Sequence, residues 1–110
     1  CCYCHCSICR KLTGSGSGAY GSVSRSEFEW LSNESLSRFS PMKSTTRYFC
    51  SSCGSFLLTE HSAEPENVFV SLGTLDSPIE SKPKYRQFVG NAPAWSSIED
   101  DLPLHDGWPH

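Results

Sequence analysis

Close to its start the sequence reads Cys4-His5-Cys6-Ser7-Ile8-Cys9-Arg10-Lys11, which places three thiols within six positions. A second pair, Cys50 and Cys53, follows some forty residues later and is followed directly by Gly54. Zn²⁺ binds thiolate sulfur at about 2.3 Å in a tetrahedral arrangement. Cysteines separated by one or two residues can turn onto a single ion, whereas a disulfide across one intervening residue is geometrically demanding. Both groups therefore indicate metal binding rather than disulfide pairing.

The length and the cysteine content limit the class of protein. A chain of 110 residues with 37% hydrophobic residues is long enough for one domain with a modest core. Seven cysteines are an odd number, which argues against a closed disulfide framework. Free thiols are typical of a reducing compartment, so a cytoplasmic protein is expected.

The charge pattern speaks against two classes of partner. The net charge is −3, and acidic and basic residues are interspersed along the chain. No polycationic surface is therefore expected for nucleic acid or anionic lipid. No apolar run approaches the ~20 residues of a membrane span, and no secretory signal opens the chain. The expected partner is a small molecule.

The rest of the sequence predicts short strands and one helical turn. The helical turn begins near Ser7, where its free N–H groups would face the thiolates, and it ends at Gly14. Alternating, β-branched and aromatic residues predict the strands. They cover residues 19–24, 28–31, 37–41, 45–49, 55–59, 68–72 and 85–89, and residues 1–3 are interpreted as the end of another strand.

Two motifs resemble those of a known family. They are Cys4-His-Cys-Ser-x-Cys-Arg-Lys-x-Thr-Gly14 and Arg47-x-Phe-Cys-x-x-Cys-Gly54, and both are similar to the glutathione-dependent formaldehyde-activating enzyme family, which is grouped with centromere protein V. Further matches are Gly73-Thr-Leu-Asp76, Ala92-Pro-Ala-Trp95 and Asp101-Leu-Pro103. The resemblance implies a mainly β, Mss4-like zinc-binding fold with one short helical turn at the cysteine motif. It also implies a single zinc-binding domain over residues 1–110.

The resemblance assigns the cysteines to two zinc sites. Cys4, Cys6 and Cys9 correspond to a catalytic-type site, and Cys50 and Cys53 correspond to half of a structural site. In the family the other half is a Cys-x-Cys-Gly hairpin upstream of the first motif. We therefore expect a domain that is incomplete at its N-terminus.

The activity implied by the resemblance is carbon–sulfur lyase chemistry, which interconverts glutathione plus formaldehyde with S-hydroxymethylglutathione. Three thiolates leave one zinc coordination position open for water or substrate. Arg10 and Lys11 follow the motif directly and suit the carboxylates of glutathione, although a solvated helix face explains them equally well. The alternative function is a non-catalytic, zinc-stabilised binding module, as in the centromere protein V branch.

Other candidate residues carry competing interpretations. His5 could ligate the metal, but its side chain should point away from Cys4 and Cys6. Phe88 and Trp95 could line a substrate pocket, although aromatic residues near strands usually belong to the core. Asp76 is interpreted as a turn cap rather than a general base.

Three further histidines, His61, His105 and His110, fall in segments interpreted as connectors. They are expected to be exposed.

Overall fold

Short strands are the main regular structure of the computed structural model, which describes residues 1–109. The strands are β1 (Cys2–Cys4), β2 (Gly18–Ser24), β3 (Leu36–Met42), β4 (Thr45–Cys50), β5 (Phe56–His61), β6 (Asn67–Ser71) and β7 (Arg86–Gln87). Within these residues the α-helical content is a single helix, α1 (Ser7–Thr13), at the first cysteine motif. The prediction of a mainly β protein with one short helical turn there is confirmed, and the arrangement is consistent with an Mss4-like fold.

The chain divides into two compact units. The first contains Cys1–Tyr20 and the C-terminal part of the chain from Ser77 onward, and the second contains Gly21–Asp76. Strand β2 runs from the first unit into the second. The prediction of one zinc-binding domain over residues 1–110 stays a prediction.

In the first unit, β1 lies between two other strands. It is antiparallel to β2, with Cys4 opposite Gly18, and parallel to β7, with Cys4 opposite Gln87. A parallel pair needs a long connection, so β7 comes from far along the chain. Cys2 and Cys4 are both buried and lie on the same face of β1, because side chains alternate along a strand.

The second unit is built on an antiparallel run of β3, β4, β5 and β6 in chain order. Leu58 on β5 and Val68 on β6 are buried, as are Thr45 and Thr59. Strand β3 lies at the edge of this run, and its last five residues are exposed.

Six of the predicted strand segments, including the one over residues 1–3, are found with small shifts at their ends, and two predictions need correction. Residues 28–31 are not a strand. The Phe28 N–H closes a 3₁₀ turn by donating to the Arg25 carbonyl, and the Phe28 ring packs edge-on against Trp30 with centroids 4.9 Å apart. The strand predicted over 85–89 shortens to β7 because Phe88 adopts a left-handed backbone with φ of 55°.

Across residues 1–109, every helix falls short of the length and apolar character that a membrane crossing requires.

Candidate metal centre

The three cysteines of the first motif come together at the junction of β1 and α1. Cys4 is the last residue of β1, Cys6 is the N-cap of α1, and Cys9 lies in its first turn. Their sulfur atoms all lie within 4.8 Å of one another, and Cys4 and Cys9 are buried. Ideal tetrahedral ligation implies sulfur–sulfur distances of about 4 Å, so a bound metal would need only a small contraction. The cluster could hold a metal ion, as the sequence predicted.

The helix start explains why Cys6 faces its neighbours. The Cys9 N–H donates to Cys6 Sγ at 3.3 Å, in the manner of an N-cap. At the other end, Gly14 takes the left-handed conformation (φ 68°) and its N–H donates to the Arg10 carbonyl at 2.8 Å. The expectation that free N–H groups of a helix starting near Ser7 would face the thiols is confirmed.

The electrostatics of the cluster favour one thiolate even before a metal binds. Hydrogen bonds from Cys4 and Cys9, with help from backbone N–H groups, lower the pKa of Cys6 to about 2. Conversely, hydrogen bonding to Cys6 and Cys9 and burial raise the pKa of Cys4. Of the three thiols, Cys6 is therefore the one whose thiolate form the cluster favours most, and a bound cation would favour loss of the other two protons.

His5 is fully engaged elsewhere and is not a ligand in this arrangement. Its side chain is 1% exposed. Nδ1 lies 3.0 Å from the Gly16 carbonyl oxygen, and Nε2 lies 3.0 Å from Nη1 of Arg86. Burial lowers the pKa of His5 and favours the neutral ring. The expectation that His5 points away from the metal ligands agrees with these contacts.

Arg10 and Lys11 lie in the last turn of α1, where positive charge complements the helix dipole. Lys11 is exposed. Arg10 is half-buried, and its Nε is buried without a hydrogen-bond partner among the described residues. Such a donor is costly to bury unless an acceptor reaches it. Arg10 is therefore a cation next to the cluster in sequence, with one buried N–H that no described residue satisfies.

Cys50 and Cys53 have a different setting. Cys50 ends β4, and the turn after it closes with the Gly54 N–H donating to the Cys50 carbonyl at 2.7 Å. Gly54 has φ of 79°, a conformation that costs glycine least. Backbone N–H groups of Cys53 and Ser52 lower the pKa of Cys50. Within residues 1–109 these two thiols belong to no group of three possible ligands, so metal binding there stays a prediction.

Phe88, Trp95 and Asp76 were the other candidates named from the sequence. Trp95 is 73% exposed, so the expectation that it belongs to the core is wrong. Phe88 is half-buried and packs edge-on against Trp108 with centroids 5.0 Å apart. Asp76 is exposed, with no role visible in its contacts.

The histidines expected in exposed connectors also need correction. His61 is the half-buried last residue of β5, and its Nδ1 lies 3.2 Å from Oγ1 of Thr45. His105 is half-buried beside the Tyr85 ring. The prediction for His110 falls outside the described residues.

Sequence reasoning missed Arg86 and Asp100. Arg86 contacts His5 directly, and Asp100 accepts a hydrogen bond from Arg86. They lie 81 and 95 residues from His5 in the sequence, and neither belongs to a recognisable motif. Only the parallel pairing of β1 with β7 brings Arg86 to its place.

Fold and site together define a mainly β protein with a three-cysteine cluster that could hold a metal, and two of its three cysteines are buried. The profile of the glutathione-dependent formaldehyde-activating enzyme family matches residues 1–91. The chain therefore belongs to that family. A crystal structure of a Rhodobacter sphaeroides protein, a structural genomics target, is similar in fold with a TM-score of 0.60. It is 20% identical, and the alignment covers 72% of this chain and 71% of that chain. A search of curated proteins found no match.

Proposed function

We propose that this protein is a zinc-dependent carbon–sulfur lyase that acts on the adduct of glutathione and formaldehyde, or on a related thiol adduct. The observation that carries the proposal is the convergence of the Cys4, Cys6 and Cys9 sulfurs within 4.8 Å in a member of this family. We also propose a cytoplasmic location, where the seven cysteine thiols would stay reduced.

The donor set fits zinc. Three thiols with one thiolate already favoured match the soft ligands that Zn²⁺ prefers. Bound zinc would supply a coordination position for a substrate thiol and would lower the pKa of that thiol. Cys4, Cys6 and Cys9 would hold the ion, and none of them would be consumed in the reaction.

The reaction needs no oxidant or reductant. The S–H group of glutathione adds across the C=O bond of formaldehyde. A C–S bond forms, and the proton ends on the former carbonyl oxygen. In the reverse direction the C–S bond breaks and the proton returns to solvent or to sulfur. The site must therefore orient a thiol and tolerate a thiolate, which suits a cationic neighbourhood.

Arg10 would orient the substrate through a carboxylate. Arg10 directly follows the ligand Cys9, and its half-buried side chain carries a guanidinium with a permanent positive charge. A carboxylate of glutathione could accept from this group in a charge-assisted hydrogen bond. Lys11, exposed one residue further on, would add attraction through its charge alone.

The test is catalysed exchange between glutathione, formaldehyde and S-hydroxymethylglutathione, followed by NMR on zinc-loaded protein. We expect Cys6→Ala to abolish the protein-dependent exchange, since two thiolates hold zinc poorly. Arg10→Ala should raise KM for glutathione about 5- to 150-fold with little change in kcat, as the loss of a charge-assisted hydrogen bond of about 1–3 kcal/mol implies. Two controls should show wild-type exchange: Cys53→Ala removes an exposed thiol outside the cluster, and Arg38→Ala removes an exposed cation on β3.

Full exchange activity in Cys6→Ala would reject the zinc mechanism. If the zinc-loaded wild-type protein does not accelerate exchange for any of the thiols tested, the lyase proposal would give way to the alternative, a zinc-stabilised binding module.

A further inference from the structure

We propose that His5 is a positioning residue of the metal centre, held in place by Arg86 and by Asp100 of the C-terminal segment. The inference rests on the three-cysteine cluster being the metal site of the proposed function. It adds to that site a residue beyond the region that the family profile matches, which ends at residue 91.

The hydrogen bonds of His5 fix a single form of its ring. The Gly16 carbonyl can only accept, so Nδ1, at 3.0 Å, must carry the proton. Nε2 is then an acceptor, and it faces Nη1 of Arg86, which can only donate, at 3.0 Å. The His5 backbone N–H donates to the Gln87 carbonyl at 3.0 Å. Ring and backbone are thus both fixed.

Arg86 is itself held from two sides. Its Nη2 donates to Oδ2 of Asp100 at 2.6 Å, and its Nε lies 3.2 Å from both carboxylate oxygens. Its guanidinium lies over the Tyr3 ring, 4.3 Å from the centroid. A fork held by a carboxylate and an aromatic face has little freedom to rotate. The bond to Arg86 lowers the pKa of Asp100, which keeps the carboxylate charged.

These contacts bracket the segment that carries the ligands. Tyr3 and His5 are the two neighbours of Cys4 along the chain, and side chains alternate in an extended strand. Arg86 stacks on the Tyr3 ring and hydrogen-bonds to the His5 ring, so it fixes the chain on either side of Cys4. Beyond α1, His5 holds Gly16, in the loop that follows the helix. The strand before the ligands and the loop after them are therefore tied through one buried ring.

Residues that orient metal ligands without binding the metal themselves change metal affinity about 10- to 100-fold when they are removed. We expect the same of Asp100. It lies on the protein surface, so its substitution should leave the fold intact while releasing Arg86 and, through it, His5. The loss would appear in metal binding rather than in folding.

The experiment is titration of the full chain with Co²⁺ against a competing chelator, read from the thiolate-to-cobalt absorption. Asp100→Asn should weaken Co²⁺ binding about 10- to 100-fold. Its exposed neighbour gives the matched control, Asp101→Asn, which should bind as wild type. Asp100→Glu should restore much of the affinity, because it keeps the carboxylate. His5→Asn keeps a donor for Gly16 but loses Arg86, and it should weaken binding by a similar factor.

Thermal unfolding of the metal-free variants separates positioning from general stability. The proposal requires that Asp100→Asn and Asp101→Asn unfold at similar temperatures while their Co²⁺ affinities differ. Equal affinities would overturn it. An affinity loss explained by a lower folded fraction at the assay temperature would overturn it as well, since the role would then be structural. Wild type that binds Co²⁺ and shows these effects but catalyses no exchange would contradict only the proposed function. Absence of Co²⁺ binding in wild type would contradict both.

Discussion

The protein uses the spacing Cys-x-x-Cys twice, at Cys6–Cys9 and at Cys50–Cys53, with different results. The first pair starts a helix and is joined by Cys4 from the preceding strand. The second pair flanks a turn, with Cys50 at the end of β4 and the exposed Cys53 in the turn that follows. Spacing alone therefore places two thiols near each other, while a strand end supplies the third ligand.

The two pairs also stabilise negative charge in different ways. At Cys6 the main contribution comes from two other thiols, so the charge is shared within a cluster that a cation can occupy. At Cys50 it comes first from the backbone N–H groups of Cys53 and Ser52 in the turn. Among residues 1–109, only the cluster around Cys6 offers three possible ligands.

The largest contrast is expected when one ligand is removed from each group. Cys9→Ser should weaken Co²⁺ binding at the cluster by more than ~100-fold, a larger effect than removal of a group behind the ligands. Cys53→Ser should leave that binding unchanged. The measurement is Co²⁺ titration followed by the thiolate-to-cobalt absorption. If the two variants lose equal affinity, the distinction between the groups is wrong.

A smaller effect is expected when a glycine near each cysteine group is replaced by alanine, and the cause of the stability loss differs between the two positions. A Cβ at Gly16 would lie 2.3 Å from Oγ and 2.9 Å from Cβ of Ser96, so Gly16→Ala should cost about 1–3 kcal/mol through overpacking. At Gly54 a Cβ meets nothing within 4 Å, but φ of 79° should cost alanine about 1–2 kcal/mol. Urea unfolding measures both.

The two glycine variants should differ in a second measurement. Gly16 also accepts from His5, so Gly16→Ala should weaken Co²⁺ binding, whereas Gly54→Ala should not. Ser96→Ala removes the nearer obstacle and should recover part of the stability lost in Gly16→Ala. Equal Co²⁺ affinities in the two glycine variants would show that the loop after α1 does not support the cluster.

Local signals in the sequence predicted much of this fold. The residues around Cys6 carry a cap, a helical turn and a terminating Gly14 within a short stretch, so ligand spacing and helix start could be read together. The strands β4, β5 and β6 were predicted because β-branched and aromatic residues concentrate there. At residues 28–31 the aromatic residues instead pack on one another outside any strand, a tertiary effect that residue preference does not capture.

The contacts that hold His5 next to the cysteine cluster could not be predicted in the same way. Arg86 reaches His5 only because β7 pairs with β1 in parallel, and Asp100 reaches Arg86 from an irregular segment. No periodicity relates these positions. The left-handed backbone of Phe88, which ends β7, also has no glycine or asparagine to signal it.

The smallest effect is expected from an ion pair of the second unit, Arg25 with Glu60. Partial burial raises the pKa of Glu60, but hydrogen bonds from Tyr48 and Arg25 outweigh it and leave the pKa lowered. A carboxyl with a lowered folded pKa contributes stability above its unfolded pKa of about 4.3 and loses it as the pH falls through the folded value. Because Arg25 is half-exposed, Glu60→Gln should cost less than about 1 kcal/mol at pH 7. In urea unfolding at pH 7 and pH 3, the gap between wild type and Glu60→Gln should narrow at the lower pH, and Co²⁺ affinity should stay unchanged. A gap that widens on acidification would contradict the assigned direction of the pKa shift.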